Sequence, residues 1–380
     1  MKRGIAFLVL ALLMIAPAFA GAEEPLVTIK PEKPTVGAEI TIRYNPLVKG
    51  AMLFGAEAVE LQVLVFRGGE VSQLFNDRTK MPMLLEAPMK KQGKVWEARI
   101  KLEDPLSKFG MIRFAAEKVV DTNQDNYWDF FVYGKGGQPV QGAHLDRSLS
   151  YLYPGLPSRD FKREKNLSRA LEEAQAEASL HPRQWQTQFR LWEIELAQKR
   201  DTTLFGPIVK ELDAMSTQFG DNEEVLAMIS AWYKRLQRNE KGQALQERLI
   251  AKNPRGKFAR QTRLQKIYET RESAQMAERA LEFIKEFPDA EPDEKSTVIA
   301  VLVNAKQFDK AEEVLATLPA PNGNLLNNLA WPYIENDINV ARGVELARKG
   351  VEALRKPEPN ARPLYFPSKT LTFAAQFDIF

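Results

Sequence analysis

Asp121, Asn123, Asp125 and Asp129 set side-chain oxygens at alternating positions of the segment DTNQDNYWD, the spacing with which a loop begins to wrap a calcium ion. The pattern then departs. Asn126 stands at the sixth position, where such a loop needs glycine, and Val132 at the twelfth, where it needs a bidentate Glu. Asp121, Asn123 and Asp125 are therefore a weak metal candidate. They read better as a polar turn between two strands, where short Asp and Asn side chains bond their own backbone. No metal or cofactor is expected.

Other reactive chemistry is scarce. The 380 residues hold no Cys and two His, and no GxSxG motif. Thiol nucleophiles, disulfides, Cys-His zinc clusters and a lipobox anchor all lack their residues. His144 and His181 lie 37 residues apart, and His181 precedes Pro182 at a helix end, where a cation suits the local dipole. Both read as structural or surface groups. Composition does not exclude a pair of catalytic carboxylates, but most Asp and Glu fall on amphipathic helices as solvated faces.

Binding residues are easier to nominate. Residues 248–271 carry eight basic side chains and one acid, Glu269. Lys257, Arg260, Arg263 and Lys266 recur every three positions, so each lies near the next on a helix. They either line a groove for an acidic partner segment or form a solvated face matched by Glu-rich neighbouring helices. Trp185, Trp192, Trp232 and Tyr233 also fall on helices. Aromatics at helical spacing are expected mostly as core, with one or two left exposed as peptide anchors.

Two kinds of element must position these residues. From Pro25 to about Tyr133 the apolar pattern alternates: Ile40, Ile42 and Tyr44 against Glu39, Thr41 and Arg43, then Val59 to Val65, Trp96 to Leu102, Ile112 to Ala116 and Tyr127 to Tyr133. Gly68-Gly69 is a hairpin signal. The expected fold over 25–134 is an all-β sandwich of the immunoglobulin or fibronectin type, with one solvated face on each sheet. Residues 135–160, with GKGGQP and YPGLPSRD, read as a Gly- and Pro-rich connector packed in part on the sandwich through Tyr151, Leu152 and Tyr153. Over 161–356 the period changes to that of helices, broken at SLHPR, QFGDN, KNPRG, EFPDAE and TLPAPNG.

Those breaks repeat. Pro254 and Pro288 are 34 residues apart, Pro288 and Pro319 are 31, and Pro182 to Pro254 spans two units. NAKQFDKAEEVL around Ala311, and RALEEAQAEASLHP with Ala170, Ala174 and Pro182, resemble the second helix and closing proline of tetratricopeptide repeats. That resemblance implies an all-α solenoid of helix pairs whose first helices, carrying the four aromatics, line a concave surface.

A second resemblance rests on KPEKPTVGAEITIRYNP, DTNQDNYWDFFVYGKGGQPVQGA and NNLAWPYIEND, in that order. It is to exported bacterial proteins with a β-sandwich, helical repeats and a C-terminal thioredoxin-like domain. The domain and its CxxC are absent from these residues, so the redox activity which that resemblance implies is in doubt for them.

The ends frame the expected setting. Residues 1–20 resemble a signal peptide: Lys2 and Arg3, an apolar run from Ile5 to Ile15, and Ala18-Phe19-Ala20 before a cut at Gly21. Losing Lys2 and Arg3 takes the formal net charge from +3 to +1, which gives no argument for nucleic acid or for a membrane surface. The tail, 357–380, is apolar and aromatic and carries Asp378 as its one acid after Pro363, unlike a polar repeat cap. It either continues into further chain or folds back on the last helices. The expectation is an exported, non-enzymatic module that binds a protein or peptide. The alternatives are the N-terminal portion of a thiol-disulfide oxidoreductase, and glycan binding by the sandwich.

Overall fold

The computed structural model describes residues 25–68, 82–156, 160–220 and 222–355. The leader over 1–20, Gly69 of the hairpin signal and the tail 357–380 lie outside them. The chain is an antiparallel β region followed by an all-helical region, with twelve α-helices among the described residues.

The strands are β1 (Val27–Lys30), β2 (Glu39–Tyr44), β3 (Glu60–Phe66), β4 (Met83–Pro88), β5 (Lys90–Gln92), β6 (Val95–Lys101), β7 (Phe109–Ala116), β8 (Val119–Asp121) and β9 (Trp128–Phe131). They form two sheets. One runs β1-β2-β6-β5, and the other runs β4-β3-β7, with β8 and β9 pairing to opposite ends of β7. The alternating residues meet between the sheets: Ile40, Ile42 and Tyr44 from β2 pack with Leu61, Val63 and Val65 from β3 and Ile112 and Phe114 from β7.

One expectation is overturned here. The sheet containing β3 and β7 does not present a solvated face. Leu64, Phe66, Phe109 and Met111 point away from the first core and are buried under Leu149 and Phe161. β3 reads ELQVLVF, and all of Leu61 to Phe66 is buried, because both of its faces are covered. A strand buried on both faces loses its polar alternation.

The cover is a helix inside the stretch that reads as a connector. α1 (Ala143–Leu152) buries eight of its ten residues, and Leu145, Leu149 and Leu152 recur at helical spacing. Fully burying one such leucine contributes about 1.5–3 kcal/mol. Residues 143–152 are therefore a docked joint between the two regions. Tyr151 and Leu152 pack in turn on Ala170, Ala174 and Ile194 of the next two helices.

Those are α2 (Leu167–Leu180) and α3 (Trp185–Lys199). Then follow α4 (Phe205–Gln218), α5 (Glu223–Arg235), α6 (Asn239–Lys252), α7 (Lys257–Tyr268), α8 (Ser273–Glu286), α9 (Pro292–Asn304), α10 (Phe308–Leu315), α11 (Gly323–Glu335) and α12 (Val340–Arg355). Most pack on their neighbours in sequence, and α9 also packs on α11. Asn166, Asn222 and Asn322 cap α2, α5 and α11 through their side-chain oxygens. Small residues set the close approaches. A Cβ on Gly323 of α11 would collide with the carbonyl of Gly350 on α12. The Ser230 hydroxyl on α5 reaches the Gly242 carbonyl on α6 at 2.7 Å.

A buried polar network ties sheet to helices. Asp129 on β9 takes ion pairs from Arg147 of α1 at 3.1 Å and from Arg163 at 2.5 Å, and Arg147 continues to Glu173 of α2 at 3.2 Å. Both oxygens of Glu177 accept backbone amides at the start of α1, from Gly142 at 2.7 Å and His144 at 3.1 Å. An anion thus sits at the positive end of that helix.

Candidate functional site

The Asp121 turn is committed to the fold. Asp121 is 1 % exposed, and its Oδ2 accepts the Tyr44 hydroxyl at 2.7 Å and the Met52 amide at 3.0 Å. Its Oδ1 accepts the Asn123 amide at 3.1 Å. The Asp125 carboxylate accepts the Thr122 hydroxyl at 3.0 Å, and Asn123, Gln124 and Asp125 all take positive φ. Asn and Asp tolerate that left-handed backbone, and here it loops the chain out between β8 and β9, which run in the same direction along β7. Among the described residues no three His, Asp or Glu side chains are placed to hold a metal ion together.

The histidines belong to structural contacts. The His144 ring meets Glu173 at 2.6 Å and lies on the Phe131 ring with centroids 4.4 Å apart. His181 Nε2 is 3.9 Å from Glu177.

The basic row does not make one surface. An α-helix turns about 100° per residue, so steps of three walk around it, and Lys257 and Lys266 end up about 180° apart. Arg260 and Arg263 are taken up by the neighbouring helices. Arg260 pairs with Asp289 at 2.7 Å and Glu294 at 3.6 Å, its guanidinium 5.5 Å from the centre of the Phe287 ring, and Arg263 pairs with Glu286 at 3.2 Å. A backbone hydrogen bond, helped by Arg255 and Arg260, holds the Asp289 carboxylate below its usual range. Lys257 and Lys266 are exposed on opposite sides.

Three of the four nominated aromatics are interior. Trp192, Trp232 and Tyr233 are 2 %, 4 % and 4 % exposed, and Trp185 is half-buried. Phe189 is the hub: its ring centroid lies 5.6 Å from Trp185, 5.2 Å from Trp192 and 5.7 Å from Trp232. These rings hold α3 and α5 together. Tyr233 donates to Asp213 of α4 at 2.6 Å, and Lys241 of α6 pairs with the same carboxylate at 2.7 Å.

A surface that residue types alone do not disclose emerges from the register of the helices. On α5, α7, α9 and α11, residues at i, i+4, i+7 and i+11 form one stripe. The stripes are Glu224, Met228, Ala231 and Arg235; Lys257, Gln261, Leu264 and Tyr268; Asp293, Thr297, Ala300 and Asn304; and Asn324, Asn328, Trp331 and Glu335. Every one of these is exposed or half-buried. Their starting positions are 33, 36 and 31 residues apart, the spacing of the breaks between helix pairs. The positions just after each start are apolar and buried on α5 and α11: Val225, Leu226 and Ile229, and Leu325, Leu326 and Leu329. The four stripes therefore occupy equivalent places. Tyr268 at 61 % and Trp331 at 62 % exposed are their large rings. Gln261, Asn304, Asn324 and Asn328 add carboxamides that both donate and accept hydrogen bonds. The signal was in the sequence, but only after the helices are aligned by their breaks.

No protein-family model matches the chain, and no curated protein matches its sequence.

Proposed function

We propose that this chain is an exported, non-enzymatic interaction scaffold. In this reading an immunoglobulin-like sandwich carries a tetratricopeptide-like solenoid that binds an extended segment of a protein or peptide. The observation behind it is the recurrence of the same exposed stripe on α5, α7, α9 and α11, with Tyr268 and Trp331 standing out of it. An extended peptide presents unpaired backbone amides and carbonyls, and the Asn and Gln side chains of the stripe match both. The two rings offer amphipathic area at small entropic cost, which is why Tyr and Trp dominate binding hot spots. The stripe mixes Glu224, Asp293 and Glu335 with Arg235 and Lys257, so the partner segment is close to neutral and carries apolar or aromatic side chains.

The test is a selection of random displayed peptides on the immobilised chain starting at Gly21, followed by fluorescence polarisation with each selected peptide. Binders that compete with one another and weaken in Tyr268→Ala or Trp331→Ala support the reading. Binders indifferent to both substitutions, or no binders at all, count against it.

A further inference from the structure

The last helix pair among the described residues has an apolar side that its predecessors cover. On α7 and α9 the position corresponding to Ile334 is held by Ile267 and Val303, which are 1 % and 8 % exposed. Ile334 on α11 is 40 % exposed. On α10, Phe308 packs against Tyr333 of the following helix with ring centroids 5.1 Å apart. Its counterpart on α12, Val340, is 42 % exposed, and Val344 one turn on is 38 % exposed. Ile338 in the turn between the two helices is 48 % exposed. α11 and α12 are neighbours, and Ile334 meets α12 at Gly343, between Val340 and Val344, so the exposed apolar residues of the two helices lie beside one another. That is the side on which a further helix would pack.

We propose that this end face is the docking site of the chain's own segment 357–380. The segment begins where α12 ends, and its sequence supplies what the face lacks. Phe373, Phe377 and Phe380 recur at i, i+4 and i+7, one stripe of a helix, and Phe366 lies two turns before Phe373 on the same stripe. Reach is sufficient. α12 has 16 residues and so is about 24 Å long. The ten or so residues between Lys356 and Phe366 span up to about 33 Å when extended. They can therefore return along the helix and set the phenylalanines over Ile334, Val340 and Val344. Pro357, Pro359 and Pro363 keep that return stretch from continuing α12. The docked segment covers that apolar face.

The chain has no native Cys, so one introduced thiol reports cleanly. Val344→Cys is labelled with a maleimide in the full chain and in a chain ending at Lys356. Docking predicts labelling about tenfold slower in the full chain, independent of protein concentration. A synthetic 357–380 peptide added to the shortened chain should restore the protection. Phe54→Cys, in the β region, should label equally in both. If the shortened chain loses its helical circular dichroism, Phe373→Asp with Phe377→Asp in the full chain takes its place, and should raise labelling of the Val344→Cys thiol by the same factor. Equal labelling of that thiol in the compared chains would overturn the proposal. So would protection that grows with protein concentration, because that would assign the face to a second copy.

Discussion

The Tyr44 hydroxyl donates to the Asp121 carboxylate at 2.7 Å in the centre of the β core, and accepts the Leu53 amide at 3.2 Å. Burial and the neighbouring carboxylate push the phenol above its usual range, which keeps it a donor at neutral pH. The pair joins β2, β8 and the loop at Met52 and Leu53.

Replacing Tyr44 with Phe removes the donor to Asp121 and leaves the Leu53 amide without its acceptor. Leaving buried polar groups unsatisfied costs about 1–3 kcal/mol. Urea unfolding should show a lower midpoint with an unchanged slope. Identical midpoints for the two proteins would show that the pair contributes nothing.

Arg163 is 1 % exposed, holds Asp129 and Ser150 Oγ, and lies over the Tyr151 ring at 4.5 Å. Arg163→Ala leaves Asp129 to Arg147 alone in a buried setting, where breaking such a pair costs about 3–5 kcal/mol. The joint links both regions, so aromatic near-ultraviolet and helical far-ultraviolet signals should shift together in urea. A loss below about 1 kcal/mol, or a shift in one signal only, would contradict the joint described.

How much of this was legible in the sequence depends on what each pattern measures. The alternation at Ile40, Ile42 and Tyr44 reports burial on one face, and it located the strands. The continuous apolar run of β3 carried the opposite message, a strand covered twice, which becomes plain once α1 is seen on it. α1 itself is hidden between GKGGQP and YPGLP, although Leu145, Leu149 and Leu152 already keep helical spacing. The spacing of Lys257, Arg260, Arg263 and Lys266 misleads because adjacency on a helix is not a shared face. The exposed stripe was unreadable residue by residue, since Ala231, Gln261 and Asn328 have no chemistry that singles them out.

Acid should loosen the end of the helical array. Hydrogen bonds from Lys349 and Arg342 on α12 pull Glu345 from 4.5 to about 2. A carboxylate depressed on folding lends stability that is present above its unfolded pKa and lost as pH falls through its folded one. The window is therefore between pH about 4.5 and about 2. Thermal melts across it should fall less steeply in Glu345→Gln than in the parent chain. Parallel curves would show that the ion cluster is energetically silent.

The account stands most directly on the affinity of one selected peptide for four proteins: the parent chain, Tyr268→Ala, Trp331→Ala and Phe54→Ala. Tyr268 and Trp331 are exposed on the stripe, whereas Phe54 is a 74 % exposed ring in the β region. Truncating a binding hot spot costs about 2 kcal/mol or more, roughly 30-fold in Kd. The stripe predicts that loss for Tyr268→Ala and Trp331→Ala, with Phe54→Ala unchanged. Affinity untouched by the two stripe substitutions, or lost equally in Phe54→Ala, would contradict it.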